Sequence, residues 1–348
     1  MQWNFTNETD VSDWSDRAQL DWYTWGAYDA SSSVGVPYEV QIDLANELGS
    51  DLWITLPHQA TDDFVQQLAT LVHDRLNPEL KVWVEYTNEH WNVFFSQNSW
   101  LHEQSIAVSE SENNEDYFLY HHYGRRSGEV LAIFDSVFAD NPDRVVGIIG
   151  GLSTWSYPAE AALAEIDAQG YLSLIDALAI APYIGNASEG EWDVDALLAD
   201  MDVNNLTQDD YARIFEEMYT AIDATFTGDG ESGTEMRRNR DLAEQYGIDL
   251  VAYEAGQHLT AYDLEGAGFF PAGDDIVGIY DRVNARPEMY DLYLYYLDAW
   301  VAFGGRTIVP YHYAGSWNEF ETFGHKAYAT QAIEEAHKYR ALLDWLNQ

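Results

Sequence analysis

The sequence predicts an α/β fold with a parallel sheet, a TIM (β/α)8-type barrel whose first strand is absent or atypical. Three observations lead there. Short apolar runs alternate with stretches of helical periodicity, the pattern of βα units. The 348 residues are too many for one small domain, and single barrels commonly run past roughly 250 residues. No internal repeat, low-complexity tract or proline-rich linker divides the chain, so one domain over 1–348 is expected.

Taken in order, residues 2–6 are the only early strand candidate, and 36–48 (VPYEVQIDLANEL) read as a helix closed by Gly49. Strands follow at 52–56 and 82–86, with a well-marked helix between them. In it Phe64, Leu68, Leu71, Val72 and Leu76 recur at helical spacing. Thr61 is placed to cap that helix, Asp62 and Asp63 favour its positive end, and Asn77-Pro78 stops it. Later strands are expected at 145–149, 175–181, 250–253 and 307–311, and helices at 115–139, 158–169, 208–224, 235–246, 286–303 and 325–346. Segments 227–240 and 260–279 read as long loops. These strands number seven. Either the eighth hides in the Tyr/Trp-rich 21–33, or the chain begins after it, which is the favoured reading. Missing it would leave two unpaired sheet edges, so the expectation is a monomer or a dimer.

Strand parity says which residues look inward. In 175–183 the small Ala177, Ala179 and Ala181 share a face with Tyr183, while Leu178, Ile180 and Pro182 share the other. Small residues suit a crowded barrel axis. Tyr183 then points into the mouth at the carboxyl end of its strand, where barrel active sites lie.

Two glutamates end strands in the same way. Residues 81–92 read KVWVEYTNEHWN, an apolar strand running into Asn88-Glu89, and 249–259 read DLVAYEAGQHL, a strand ending at Glu254. Glycoside cleavage needs one carboxylic acid to protonate the leaving oxygen and one carboxylate to attack the anomeric carbon. In retaining enzymes the two stand about 5–5.5 Å apart. Glu85 shares parity with Glu89 and reads as a structural partner for one of the scarce arginines. His121 and His122 read as packing and supporting groups. His258 is open between substrate contact and loop support.

This arrangement resembles clan A of the retaining glycoside hydrolases, in a branch carrying an EYTNEHWN strand-four motif. The resemblance runs from about residue 1 to 348 and implies a barrel with 82–86 as strand four and 250–253 as strand seven. It implies Glu89 as general acid/base, Glu254 as nucleophile, and Asn88 as hydrogen-bond partner of the sugar 2-hydroxyl. Tyr183 corresponds to the clan's strand-six tyrosine that orients the nucleophile, with a rim aromatic as the alternative. Trp317 corresponds to the aromatic floor beneath the sugar, and His58 to a polar sugar contact. The strand-two arginine has no clear counterpart, Arg17 being the nearest. Glu89 must then stay protonated near neutral pH while Glu254 is ionised. The chemistry calls for no cofactor and no metal.

Aromatic residues make up 15% of the chain. Trp91, Trp100, Trp155, Trp192, Phe269, Phe270 and Trp317 lie near expected strand ends or loops, which suits a polysaccharide substrate. Glucan, xylan and mannan remain open, as does endo or exo action. The competing functions are a metal-dependent hydrolase barrel, for which no His-x-His is present, and a barrel that binds carbohydrate without cleaving it. A polymeric substrate implies an extracellular site of action, although MQWNFTNETDV lacks the order of a signal peptide.

Charge narrows the partners. Sixteen Lys+Arg against 60 Asp+Glu give a net charge of −44, which disfavours nucleic acid, anionic membranes and polyanionic substrates. No apolar run approaches the roughly 18–20 residues of a membrane span. Only Lys81, Lys326 and Lys338 are lysines. A chain this acidic and lysine-poor resembles proteins adapted to high salt, where screening shortens the Debye length to about 3 Å at 1 M. The melting temperature should therefore rise as NaCl or KCl is raised into the molar range, measured by calorimetry; a flat or falling curve counts against salt adaptation.

Overall fold

The computed structural model describes residues 2–7, 9–25, 35–184, 201–202, 205–259, 273–315, 317 and 322–348. Trp192, Phe269 and Phe270, most of segment 21–33 and most of 260–279 lie outside them. Five parallel strands form one sheet in the order β1-β2-β3-β4-β5: β1 (Leu52–Leu56), β2 (Val82–Tyr86), β3 (Val145–Gly150), β4 (Ala177–Ile180) and β5 (Asp249–Ala252). Ten α-helices are found among the described residues: α1 (Tyr38–Leu48), α2 (Asp62–Arg75), α3 (Ser96–Glu112), α4 (Leu119–Val137), α5 (Tyr157–Ala168), α6 (Gln208–Thr227), α7 (Glu231–Tyr246), α8 (Gly273–Asn284), α9 (Glu288–Phe303) and α10 (His337–Leu346). None of the described helices is long and apolar enough to cross a membrane. The chain divides into two compact units, Met1–Ala179 with Leu242–Asp249, and Ile180–Asp241 with Leu250–Gln348.

In the first unit the register runs Leu52↔Val82↔Val145, and Ile148↔Ala177 continues it into β4. Parity then sorts the side chains. Leu52, Ile54, Leu56, Val82, Val84 and Tyr86 share one face with Gly147 and Ile149. Helix α2 buries Phe64, Val65, Leu68 and Val72, and α4 buries Val130, Leu131 and Phe134. Each such large apolar side chain contributes about 1.5–3 kcal/mol by leaving water. The opposite face carries Trp53, Thr55, Trp83, Glu85, Ile148, Gly150, Ala177 and Ala179. Thr61 caps α2, its hydroxyl accepting from the Phe64 N–H at 3.3 Å. At the amino ends of the strands a cavity of about 760 Å³ is lined by Asp51, Lys81, Trp83, Asp176 and Asp249 among others, and no expected site residue reaches it.

In the second unit, α9 packs against α6 and α10. The Tyr253 N–H donates to Ile180 O at 3.1 Å, and Ala252 pairs with Ile308 through Ala252 N–H to Thr307 O (2.9 Å) and Val309 N–H to Ala252 O (3.0 Å).

Several expected elements are corrected. Residues 2–6 are not a strand: Gln2–Asn4 form a 3-10 turn, Phe5 takes a positive φ of 46°, and the Asn4 amide is pinned to Thr55 O at 3.0 Å. The expected strand at 307–311 shortens to the single parallel bridge at Ile308: beyond it the Tyr311 N–H donates to Ala255 O at 2.9 Å, one residue past the position a regular ladder would use. Helix 325–346 is real only over α10; before it, His325 and Lys326 are used in backbone pairing with His312 and Tyr313. Helix 115–139 starts later, at Leu119. The unforeseen α3 hides because its buried stripe is Gln97, Leu101 and Ser105, two of three polar. The 227–240 loop is mostly helix, since α7 begins at Glu231.

A side chain at Gly147 would place its Cβ 1.9 Å from Leu174 O, on backbone that cannot swing away. Gly147→Ala should lose about 1–3 kcal/mol or more by chemical denaturation at fixed salt. Gly230→Ala, with nothing within 4 Å of the added methyl, should stay within about 0.5 kcal/mol.

Candidate active site

Glu89 belongs to the first unit and Glu254 to the second. Where β2 stops, the chain enters left-handed backbone at Thr87 (φ 31°) and again at Glu89 (φ 39°), conformations that cost non-glycine residues of order 1–3 kcal/mol each. Buried contacts hold the turn. The Asn88 amide donates to Asn7 Oδ1 at 3.1 Å, and the Gln97 amide donates to Asn7 Oδ1 at 2.6 Å and to Asn88 O at 2.9 Å. Asn88 Oδ1 is buried and has no partner among the described residues. Glu89 is half-buried, and its Oε2 accepts from the Asn92 amide at 2.9 Å. Asn7, Asn92 and Gln97 were not singled out from the sequence; only Asn92, three residues after Glu89, stood close enough to suggest its part.

Beneath that turn lies an apolar-walled set of titratable groups. His90 is fully buried and stacks on Tyr123 at 3.6 Å between ring centroids, and neither of its ring nitrogens has a partner among the described residues. Burial drives its pKa far down, so it stays neutral. Trp91 is buried beside it, edge-on at 4.8 Å. Glu85 does not pair with an arginine as expected. Its Oε2 accepts from Trp53 Nε1 at 3.0 Å and from Thr55 Oγ1 at 3.2 Å, the two side chains that register sets beside it on β1. Desolvation raises its pKa to about 7, the two hydrogen bonds pull it down, and the charge of Glu89 raises it a little more. His58 is buried after β1, its ring edge-on to Trp100 at 5.5 Å and its carbonyl accepting from the Tyr86 hydroxyl at 2.6 Å. Desolvation lowers its pKa to about 4. Arg17 is committed to an ion pair with Glu39 at 2.9 Å and lies 3.9 Å over the Trp14 ring.

In the second unit, Glu254 and Tyr183 are both half-buried, and the Tyr183 hydroxyl donates to Glu254 Oε2 at 2.9 Å. Gly256, at φ 134°, turns the chain after Glu254, and a Cβ there would sit 3.1 Å from the Tyr293 hydroxyl. The His258 ring lies 5.3 Å from Tyr183 and 5.2 Å from Phe323, while Phe323 also lies 5.4 Å from Tyr183 and 5.5 Å from Tyr311. The sequence reading missed both Phe323 and Tyr311. By area His258 is only partly covered, yet its ring is walled by these aromatics, and that desolvation lowers its pKa to about 4. Trp317 donates its indole N–H to Gly324 O at 3.0 Å, and the Lys338 ammonium lies 5.1 Å from its ring centre. Lys338 is itself buried, its amine donating to Asn284 Oδ1 at 2.6 Å, Thr322 O at 3.0 Å and Phe323 O at 3.4 Å.

Chemically, the first unit presents a partly exposed carboxyl on a rigid turn above neutral, desolvated groups, and the second a carboxyl held by a phenol. Among the described residues no group of three His, Cys, Asp or Glu is arranged to hold a metal ion. No family model matches the chain, and no curated protein matches it in sequence.

Glu85 carries a pH dependence whose sign follows from its raised pKa. The folded protein holds the proton that the unfolded chain releases above pH about 4.5, so the stabilisation is complete below that and is lost as pH rises to about 7. Glu85→Gln should remove that downward slope, gaining on the order of 2 kcal/mol relative to the parent by pH 8. Denaturation series at fixed salt from pH 4 to 8 check it, and parallel slopes for the two proteins would refute it.

Proposed function

We propose that the chain is a retaining glycoside hydrolase on a (β/α)8-type barrel, cleaving β-linked polysaccharide or oligosaccharide. Glu254 is the nucleophile and Glu89 the general acid/base. The observation that carries the reading is the Tyr183 hydroxyl donating to Glu254 Oε2 at 2.9 Å. A phenol at that distance fixes one carboxylate oxygen and leaves the orientation of the other defined, as in-line attack on an anomeric carbon requires. Glu89 supports it from the other unit: a half-buried carboxyl on a strained, tightly buttressed turn.

The reaction runs in two displacements. Glu89 gives its proton to the glycosidic oxygen as Glu254 attacks C1, the C1–O bond breaks and the leaving sugar departs with that proton. Glu89, now a carboxylate, takes a proton from water as the water oxygen attacks C1, and Glu254 leaves as the carboxylate. Asn88, His58, His258, Trp91 and Trp317 complete the proposed contacts to the sugar.

Polysaccharide turnover in molar salt, read by NMR of the product anomer, tests this. Glu254→Gln should lose at least about 10³-fold in kcat, and Tyr183→Phe about 10–10²-fold. Glu89→Ala should spare substrates with activated leaving groups and yield a β-azide product when azide is added. Undiminished turnover by Glu254→Gln, or an inverted first product, would overturn the assignment.

A further inference from the structure

Neighbouring parallel strands send their following loops out at the same edge of a sheet. The loop after β3 therefore emerges beside the loop after β2 that bears Glu89. It is a tight turn, closed by the Leu152–Trp155 bridge and by Trp155 N–H donating to Leu152 O at 3.2 Å. At its end two large rings face water: Trp155 is 45% exposed and Tyr157 37%. Their ring centres lie 5.8 Å apart with only 27° between the planes, so they form one step-like surface.

The surface is stiff from behind. Tyr120 packs edge-on against both Trp155 (5.7 Å) and Tyr157 (6.0 Å), and Phe118 stacks on Tyr157 at 6.1 Å. Tyr120 in turn packs on the His90 ring at 5.7 Å, so two ring contacts join the platform to the residue after Glu89. Neither the Trp155 indole N–H nor the Tyr157 hydroxyl is engaged by a described residue. Exposed, pre-ordered, near-parallel rings with unfilled donors suit a ligand that has flat C–H faces and a rim of hydroxyls. The chain's charge of −44 disfavours an anionic ligand there, and the open donors and flat ring faces suit a neutral sugar.

We propose that Trp155 and Tyr157 form a binding subsite for a neutral β-linked glycan chain on the leaving-group side of Glu89. Resting on the hydrolase reading, it makes the substrate a polymer bound beyond the bond that breaks and cleaved internally. Glu89 protonates the oxygen that departs with the leaving sugar, so a surface on its flank holds the departing portion of the chain.

The test uses the full chain in molar salt, as the parent and as the Trp155→Ala/Tyr157→Ala double variant, each also carrying Glu254→Gln for binding. Both substituted rings are substantially exposed, and circular dichroism verifies the fold. Native electrophoresis through gels containing hydroxyethyl cellulose, xylan or glucomannan should retard the parent in at least one glycan. The double variant should bind that glycan about tenfold more weakly. In turnover, its kcat/KM should drop for long chains and stay unchanged for a glycosyl fluoride, whose leaving group is too small to reach the two rings. Equal retardation of both proteins overturns the subsite, as does an absence of retardation in every glycan, or a parent dimer by light scattering that the double variant loses. Retardation lost in the variant without any turnover by the parent would keep the glycan surface and remove its cleavage role. Turnover with identical chain-length dependence in both proteins would do the reverse.

Discussion

Strand β2 is the member on which the first unit hangs. Val82–Tyr86 is paired on both sides, to β1 and to β3, so none of its side chains has freedom to choose a face. That pairing sends Val84 and Tyr86 to the helices and commits Glu85 to the opposite face, where it meets Trp53 and Thr55 from β1. It also sets where the ladder stops. At Thr87 the backbone is released from its neighbours, and left-handed geometry becomes accessible at a cost that Asn7, Asn88 and Gln97 offset through buried hydrogen bonds. The position of Glu89 is thus a consequence of the end of β2 more than of any contact made by Glu89 itself.

Much of the sheet was legible in the sequence because its strands are continuous apolar runs, the signature of strands covered on both faces. The bounds of β1 and β2 agree with the expectation to the residue, and α2 was readable from its stripe, its Thr61 cap and its stop. The failures have physical causes. Helix α3 turns a mostly polar stripe inward, which periodicity cannot see. Residues 2–6 alternate like a strand, but an amide reaching to Thr55, 51 residues away, bends them otherwise. The run at 307–311 is apolar enough for a strand, but its pairing slips by one residue where Tyr311 donates to Ala255 O, a long-range contact that periodicity does not show.

The candidate site divides along the same line. Parity and strand ends sufficed to single out Tyr183 and Glu254, and the two meet although 71 residues separate them. Partners that arrive from distant loops were invisible: Asn7 under Asn88, and Phe323 against Tyr183 and His258. For Glu85, inward parity suggested a structural pair with an arginine, whereas the neighbouring strand supplies an indole and a hydroxyl. A carboxyl so placed is costlier to ionise than one in water, and its hydrogen-bond partners are two neutral donors.

Burial of the lysines limits the covalent chemistry open to this chain. Lys326 and Lys338 are buried, the latter with its amine among three oxygen partners, so Lys81 is the lysine left at the surface. Acylating agents, aldehyde cross-linkers and the slow glycation by reducing sugars all attack unprotonated amines. With one lysine ε-amine in reach, this chain offers such reagents little purchase, and immobilisation or labelling is better directed at its abundant carboxyls through carbodiimide coupling.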